Sequence, residues 1–270
     1  EWLDEQLCDE LGMLGPVIPL DKQGAKVMYL VNPREVKFYP LTLMAAAKIM
    51  RIAGEDWTMS TDYWDVTNYA LFSGDDQAAR QIGLWALEVA TKLGVKEVWM
   101  SECGHGYRAL RWEAENWLGQ PFPFVVRGFV EPMAEYIRSG RIQLDPTRNT
   151  QSVTYHDPCN QARNGGILDE PRYILSKSVM DFREMTPNRE NNYCCGGGGG
   201  MLSMTEFAQR RMAASKVKAE QIQATEAKII ATSCHNCLDQ LAEVSRKYKL
   251  GAPVKNLCEL VADAIVWPKK

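Results

Sequence analysis

The sequence predicts an α/β fold made of two pseudo-symmetric units, and three observations carry that expectation. Short β-rich runs alternate with helical stretches, the pattern of parallel α/β layers. The stretch AKIIATSCHNCLDQL (227–241) has an echo in KEVWMSECGHGYRAL (96–110), at an offset of 131 residues. Farther upstream, VMYLVNP (27–33) is echoed by VTYHDPC (153–159) at an offset of 126. Self-similarity of this kind marks a duplicated structural unit.

Residues 1–24 stand apart as an N-terminal segment. Trp2, Leu3, Leu7 and Leu11 fall on one face of a short helix that stops at Gly12 or Gly15. The chain opens at Glu1 rather than Met, so the segment is expected to be the tail of something longer. Each unit then opens on a strand (27–31 and 152–156) and continues through a helical segment, a loop and a long helix. A second strand follows, at 96–100 and 228–232. The long helix of the first unit lies in DDQAARQIGLWALEVATKLG (75–94), opposite TEFAQRRMAASKVKAEQIQA (205–224). The second is expected to open on Ser203-x-x-Glu206, a capping box. The polar, Pro146-containing stretch RIQLDPTRNTQ (141–151) joins the units, which sets their limits at 25–148 and 149–270.

The composition is 46% hydrophobic and 24% charged with a net charge of −3, and it offers no basic footprint for nucleic acid. No apolar run reaches the ~18 residues that cross a bilayer, so no direct membrane span is expected.

The informative residues are the eight cysteines: Cys8, Cys103, Cys159, Cys194, Cys195, Cys234, Cys237 and Cys258. Five lie in the second unit, as Cys159, the adjacent pair Cys194–Cys195 before five glycines, and Cys234-His-Asn-Cys237. Three readings compete. Disulfides are disfavoured, because neighbouring Cα atoms stand ~3.8 Å apart, below the ~4.4 Å of a relaxed bridge. Structural zinc needs four sulfurs and leaves a fifth cysteine and the glycine run unexplained. An iron–sulfur cluster is wide enough to gather thiolates from separate loops. Glycine lets the chain turn sharply after Cys194–Cys195, and Gly196 and Gly197 can bring backbone N–H groups to an anionic core. A helix opening just after the glycines adds its positive end. A phosphate loop is a poor fit, since no Lys-Ser/Thr follows the run.

The string HDPCN…CCGGGGG…SCHNC resembles the cysteine-rich CCG domain of heterodisulfide reductase-type proteins. The match covers the second unit, and the family typically carries this domain twice. With YHDPCNQARNGG, DFREMTPNR and NYCCGGGGGM, the sequence looks most similar to the DsrK-, HmcF- and TmcB-type subunits of membrane-bound respiratory complexes, the DsrMKJOP complex favoured. The resemblance implies a noncubane [4Fe–4S] cluster on Cys159, Cys194, Cys195, Cys234 and Cys237, and an oxidoreductase that cleaves a disulfide by adding electrons. It further implies a ferredoxin portion with cubane [4Fe–4S] clusters ahead of Glu1, and a cytochrome b-type membrane subunit as partner. The implied substrate is a DsrC-like small sulfur-carrier protein carrying a disulfide or trisulfide. The implied location is the cytoplasm, peripheral on the inner face of the cell membrane. The first unit departs from the pattern: Pro33, Tyr63, Trp64 and Gly106 occupy ligand positions and only Cys103 survives, so that unit is degenerate and no second cluster is expected. Two alternatives stand beside this reading: an electron-transfer subunit of a glycolate, lactate or glycerol-3-phosphate oxidising system, and a zinc-stabilised scaffold.

Disulfide reduction consumes protons, and His105, His156 and His235 all lie within three residues of a cluster-type cysteine. His105 is the first choice as donor, and His156 can instead organise the turn at Asp157-Pro158. Cys103 either contacts a bound disulfide in a cleft shared between the units or is an inert remnant. Cys258 reads as a core residue and Cys8 as redox-silent. Most of the first unit's tryptophans read as core, while Arg108, Arg111 and Trp112 form a candidate docking surface.

Overall fold

The computed structural model describes residues 2–12 and 17–267. Strands β1 (Val27–Leu30), β2 (Trp57–Thr58), β3 (Glu97–Met100) and β4 (Val125–Gly128) pair in parallel in the order β2-β1-β3-β4. Strands β5 (Val153–His156), β6 (Ile229–Thr232) and β7 (Val254–Asn256) form a second parallel sheet in the order β5-β6-β7. Phe182 makes a parallel bridge to Val153 at the first residue of β5, as Trp57 of β2 pairs with Val27 at the first residue of β1. The two sheets therefore repeat one strand order, the pseudo-symmetry that the sequence echoes predict.

The strands form where they do because they are apolar on both faces. VMYL of β1, VTYH of β5 and IIAT of β6 are buried along their whole length, as parallel strands between helical layers are. The first sheet is accompanied by α1 (Trp2–Leu11), α2 (Pro33–Phe38), α3 (Pro40–Ile52), α4 (Ala70–Ser73), α5 (Asp76–Leu93), α6 (Gly104–Arg108), α7 (Ala114–Leu118) and α8 (Val130–Arg138). A π-helical turn over Ala109–Glu113 joins α6 to α7. The second sheet is accompanied by α9 (Glu170–Ser178), α10 (Ala208–Ala214), α11 (Lys216–Gln223), α12 (His235–Lys247) and α13 (Leu257–Ala264).

Helix α5 shows how local signals fix the ends. Asp75 accepts the Ala78 N–H at its start, and Gly94 takes a left-handed φ of 70° at its end. Helix α1 stops before Gly12, whose φ is 60°, and Leu7 is fully buried on it. The other expected stop, Gly15, lies outside the described residues.

The sheets share one hydrophobic core. Helix α13 packs on α3 and α9 packs on α8, so each half covers part of the other. A smaller apolar cluster holds Met185, Ile222, Ile230 and Leu241 together with Cys195, Cys234 and Cys237. Three of the eight cysteines thus sit in a pocket of their own, apart from the main core.

One expectation is corrected. No capping box forms at Ser203-x-x-Glu206, and no single long helix follows. The glycine run stays in turns, with Met201 N–H on Gly198 O and Ser203 N–H on Gly200 O. A 3-10 turn then spans Thr205–Phe207, capped by no side chain, before α10 begins. The helix breaks again at Ser215, whose hydroxyl donates to the carbonyl of Cys195 at 3.0 Å. The backbone beyond the glycines serves the cysteine loop before it serves a helix.

Candidate metal centre

Three parallel strands end in a cysteine-bearing turn. β5 runs into Asp157-Pro158-Cys159, β6 into Ser233-Cys234, and β3 into Glu102-Cys103. The crevice beyond the carboxyl ends of parallel strands is where α/β folds hold their ligands.

The Cys159 turn is held by Asp157, whose carboxylate is 1% exposed. Arg172 grips it with both terminal guanidinium nitrogens, Nη2 reaching Oδ2 at 2.7 Å, and Arg189 N–H donates to the same oxygen at 2.7 Å. Cys234 caps α12 from an extended conformation, and Cys237 follows in its first turn. A spacing of three residues puts both thiols on one helix face, at the positive end of the helix dipole. Cys103 occupies the same position at the start of α6.

The adjacent pair is shaped by the glycines. Gly196 has φ 92°, and its N–H points at Cys194 Sγ, 3.3 Å away. Gly197 N–H points at Cys195 Sγ at 3.4 Å. A Cβ on Gly196 would lie 2.7 Å from Ser215 Oγ, and one on Gly197 would lie 2.8 Å from the Gln240 Cβ. Neither position has room for a side chain. Gly198 has open space around it, while Gly199 and Gly200 take φ of 61° and 79°. The run serves close approach at its start and left-handed turns at its end.

The five cysteines of the second half line one cleft, with Gly104, His105 and Phe72 of the first half forming part of its wall. Its empty volume, mouth included, is about 340 Å³. Cys195 and Cys237 Sγ atoms are 3.4 Å apart, and none of the five cleft cysteines is in a disulfide. Such crowding distorts every thiol. Cys194 is pulled far below the ordinary range, first by its hydrogen bond from Cys159, then by Cys195. Cys159 and Cys195 are pushed up, each first by that same sharing with Cys194. Cys234 falls to about 7 through its bond to Cys237, which itself is pushed up first by Cys195. Thiols this close cannot all ionise unless positive charge stands among them, and a metal centre supplies it. The donor set, the cleft and the inward backbone N–H groups fit an iron–sulfur centre.

The histidines divide. His156 is fully buried at the end of β5, and a ring nitrogen lies within 4.8 Å of the Cys195 and Cys237 sulfurs. His105 lines the cleft, stacks on Tyr69 at 4.5 Å, and has Nδ1 3.4 Å from Cys103 Sγ. His235 turns away: its Nε2 meets Asn256 at 3.3 Å and its Nδ1 lies 3.6 Å from Glu35 Oε1. Burial pushes all three below their ordinary value, His105 to about 4 and His235 to about 3, so each rests neutral.

Cys103 itself is buried beneath the cleft wall and accepts from Asn32 Nδ2 at 3.2 Å. Its neighbour Gly104 comes close enough that a Cβ there would sit 3.5 Å from Cys234 Sγ. The two halves do share the cleft. Cys258 is buried on α13, and Cys8 is half-buried on α1. Trp57 and Trp99 are buried, whereas Trp112 stands at the surface with Arg111 stacked over it at 4.6 Å.

Sequence reasoning passed over the buried polar residues behind the cysteines: Asn192, Ser215, Lys218 and Gln240. Lys218 sits in a run of ordinary helix formers, and nothing in its spacing separates it from the solvated lysines nearby.

Residues 153–242 match the family model described as CCG, the cysteine-rich domain. The chain is 29% identical over 262 residues to a component of the dihydromethanophenazine:CoB–CoM heterodisulfide reductase of Methanosarcina mazei, covering 95% of this chain and 63% of that one. It is 31% identical to an Hdr-like menaquinol oxidoreductase iron-sulfur subunit of Archaeoglobus profundus, over 57% of this chain and 34% of the relative. It is 25% identical to the EtfAB:quinone oxidoreductase of Syntrophomonas wolfei, over 90% of this chain and 34% of the relative. The chain therefore spans about a third to two thirds of the length of these relatives.

Proposed function

The chain is a CCG-domain, heterodisulfide-reductase-like protein, and from that premise we propose that it is an iron–sulfur electron-transfer subunit exchanging electrons with a disulfide or trisulfide. The observation that carries this reading is the convergence of all five cysteines of the second half on one cleft, against the backbone of the first. Cys159, Cys194, Cys195, Cys234 and Cys237 would hold a noncubane [4Fe–4S] cluster. Such a cluster, when bound, supplies electrons to a sulfur–sulfur bond.

The protein's own part is positioning and screening. Gly196 and Gly197 direct N–H groups at the thiolates, and the start of α12 adds its dipole. Phe72 and His105 narrow the entrance on the side of the first half. Neutral His105 and His156 each carry one ring N–H, so either can donate a hydrogen bond toward a leaving sulfur, while the proton itself comes from solvent. Cys103 lies one residue from the cleft wall, behind the place where a disulfide would sit.

A DsrC-like sulfur-carrier protein is the substrate this reading favours, and Cys194, the exposed cysteine of the cleft, is where its disulfide or trisulfide would approach. The partner supplying electrons would be a cytochrome b-type membrane subunit, reached through cubane clusters on a ferredoxin portion. Among the described residues no helix is long and apolar enough to cross a membrane, so attachment to the inner face of the membrane would come through partners.

One observation favours a second reading: similarity to the EtfAB:quinone oxidoreductase extends over 90% of this chain. In that case the centre relays electrons without cleaving a sulfur–sulfur bond. EPR of the anaerobic, oxidised protein with and without a disulfide separates the two. A new paramagnetic signal with the disulfide, lost in Cys195→Ala, supports disulfide chemistry. A spectrum indifferent to the disulfide assigns the protein to electron relay alone.

A further inference from the structure

Lys218 is fully buried on α11, and among the described residues no carboxylate lies within ion-pair distance of its ammonium. A buried ammonium without a partner is costly, and it persists only where other groups compensate it. Its Nζ donates to Asn192 Oδ1 at 2.6 Å and to Gln221 Oε1, with Met185 Sδ at 3.8 Å. Burial pulls its pKa down to about 8. The thiols of Cys195 and Cys237, then Asp157 and Cys194, act to push it back up. The acidic groups acting on this lysine are thiols of the cysteine cleft together with Asp157.

The lysine also settles the orientation of the groups between. An ammonium only donates, so the oxygen of the Asn192 amide must face it, and the NH₂ must face the other way. There Asn192 Nδ2 meets His156 Nδ1 at 3.3 Å and the carbonyl of Asp157 at 2.6 Å. A donor against Nδ1 makes that nitrogen the acceptor, which leaves the single proton of the neutral ring on Nε2. Nε2 is a buried atom with no partner of its own. The ring stands within 4.8 Å of the Cys195 and Cys237 sulfurs.

We propose that Lys218, Asn192 and His156 form a line of positioning residues that locks His156 as the Nε2–H tautomer, aims that N–H at the sulfur-rich centre, and sets a buried positive charge behind it. The inference rests on the cluster reading above and adds to it the residues that tune the centre. Hydrogen bonds to sulfur and nearby charge are among the levers that set the potential of an iron–sulfur centre. A positive charge favours the more reduced, more negative state and so raises the potential.

The test uses anaerobically purified protein, wild type and Lys218→Met, Lys218→Arg and Asn192→Ala, each assayed for iron and titrated by EPR. Lys218→Met is expected to keep its iron and to show a lower midpoint potential, which Lys218→Arg moves back toward wild type. An apolar residue in so polar a pocket risks misfolding, so Asn192→Ala is read in parallel by pulsed EPR on protein carrying ¹⁵N-histidine. Wild type is expected to show a weak nitrogen coupling to the reduced centre, diminished in Asn192→Ala. An unchanged potential in iron-replete Lys218→Met, or no histidine coupling in wild type, overturns the inference and leaves the cluster reading intact. Wild type without iron overturns the cluster reading itself.

Discussion

The backbone N–H of His235 donates to the carbonyl of Glu102 across 3.0 Å. This bond joins the turn after β6 to the equivalent turn after β3, one residue from a cysteine in each case. Glu102 is itself 1% exposed, and its carboxylate receives the Cys258 N–H of α13 at 3.2 Å. The degenerate turn of the first half thus acts as a buttress for the cysteine turn of the second, with Gly104 pressed toward Cys234.

On that arrangement Cys103 is expected to support the cysteine turn of the second half rather than to act as a ligand. Cys103→Ala is expected to retain the iron content of wild type and to lose the Asn32 bond, worth about 1 kcal/mol. Parallel iron assay and thermal melting check this. A variant stripped of iron would assign Cys103 to the centre.

The glycine run predicts a graded series. Gly197→Ala forces a Cβ to within 2.8 Å of the Gln240 Cβ, and Gly196→Ala adds a left-handed φ to its own clash. Overpacking of this kind costs about 1–3 kcal/mol, and here it falls on the loop that carries two of the proposed ligands. Both variants should lose iron, while Gly198→Ala, with open space at its Cβ, should keep it. Equal iron content in all three would contradict the close-approach argument.

Arg172 holds Asp157 from two sides and also reaches Glu184. Removing one member of a buried pair costs about 3–5 kcal/mol, because the other charge is left behind. Arg172→Met should therefore destabilise the protein by that order and loosen the Cys159 turn. Arg172→Lys should not restore it, since an ammonium lacks the two-pronged grip. Denaturant titration of the three proteins gives the comparison.

Glu35 predicts a pH dependence. It is fully buried between Asn32 and His235, and burial raises its pKa to about 7, against hydrogen bonds from Ser101 and Asn32 that lower it. A carboxyl held up in the folded state binds its proton more tightly there than in the unfolded chain. Its favourable share is complete below the unfolded pKa of 4.5 and is lost as pH rises through about 7. Glu35→Gln keeps the acceptor for Asn32 N–H and removes the titration. It should flatten the fall in stability between pH 5 and pH 8, by up to roughly 3 kcal/mol. Parallel slopes for both proteins would place the titration elsewhere.

Much of this was legible in the residues. β1, β3, β5 and β6 stand where apolar runs predict them, and the offset echoes reappear as one strand order repeated in two sheets. The five cysteines could be grouped by spacing because Cys159 and Cys234 follow strands, Cys194 and Cys195 stand before glycines, and Cys237 lies one helical turn beyond Cys234. The helix expected at Ser203 was not legible. Good helix formers fill 205–224, yet Ser215 Oγ is claimed by the Cys195 carbonyl and the glycine turns extend to Ser203. Tertiary demand there outweighs local propensity. The orientation of His235 away from the cleft was equally hidden, because it depends on Glu35 and Asn256, which lie 200 and 21 residues distant. Lys218 was invisible for the same reason: burial of a lysine is a property of the packing around it.

The central claim is that thiols from three turns of the second half grip one iron-containing centre. Anaerobic purification with iron, acid-labile sulfide and zinc quantified per chain tests it most directly. The account predicts about four irons with matching sulfide and negligible zinc, falling away in Cys195→Ala and Cys234→Ala. One zinc and no iron, or a bond between Cys195 and Cys237 in the oxygen-protected protein, would contradict it.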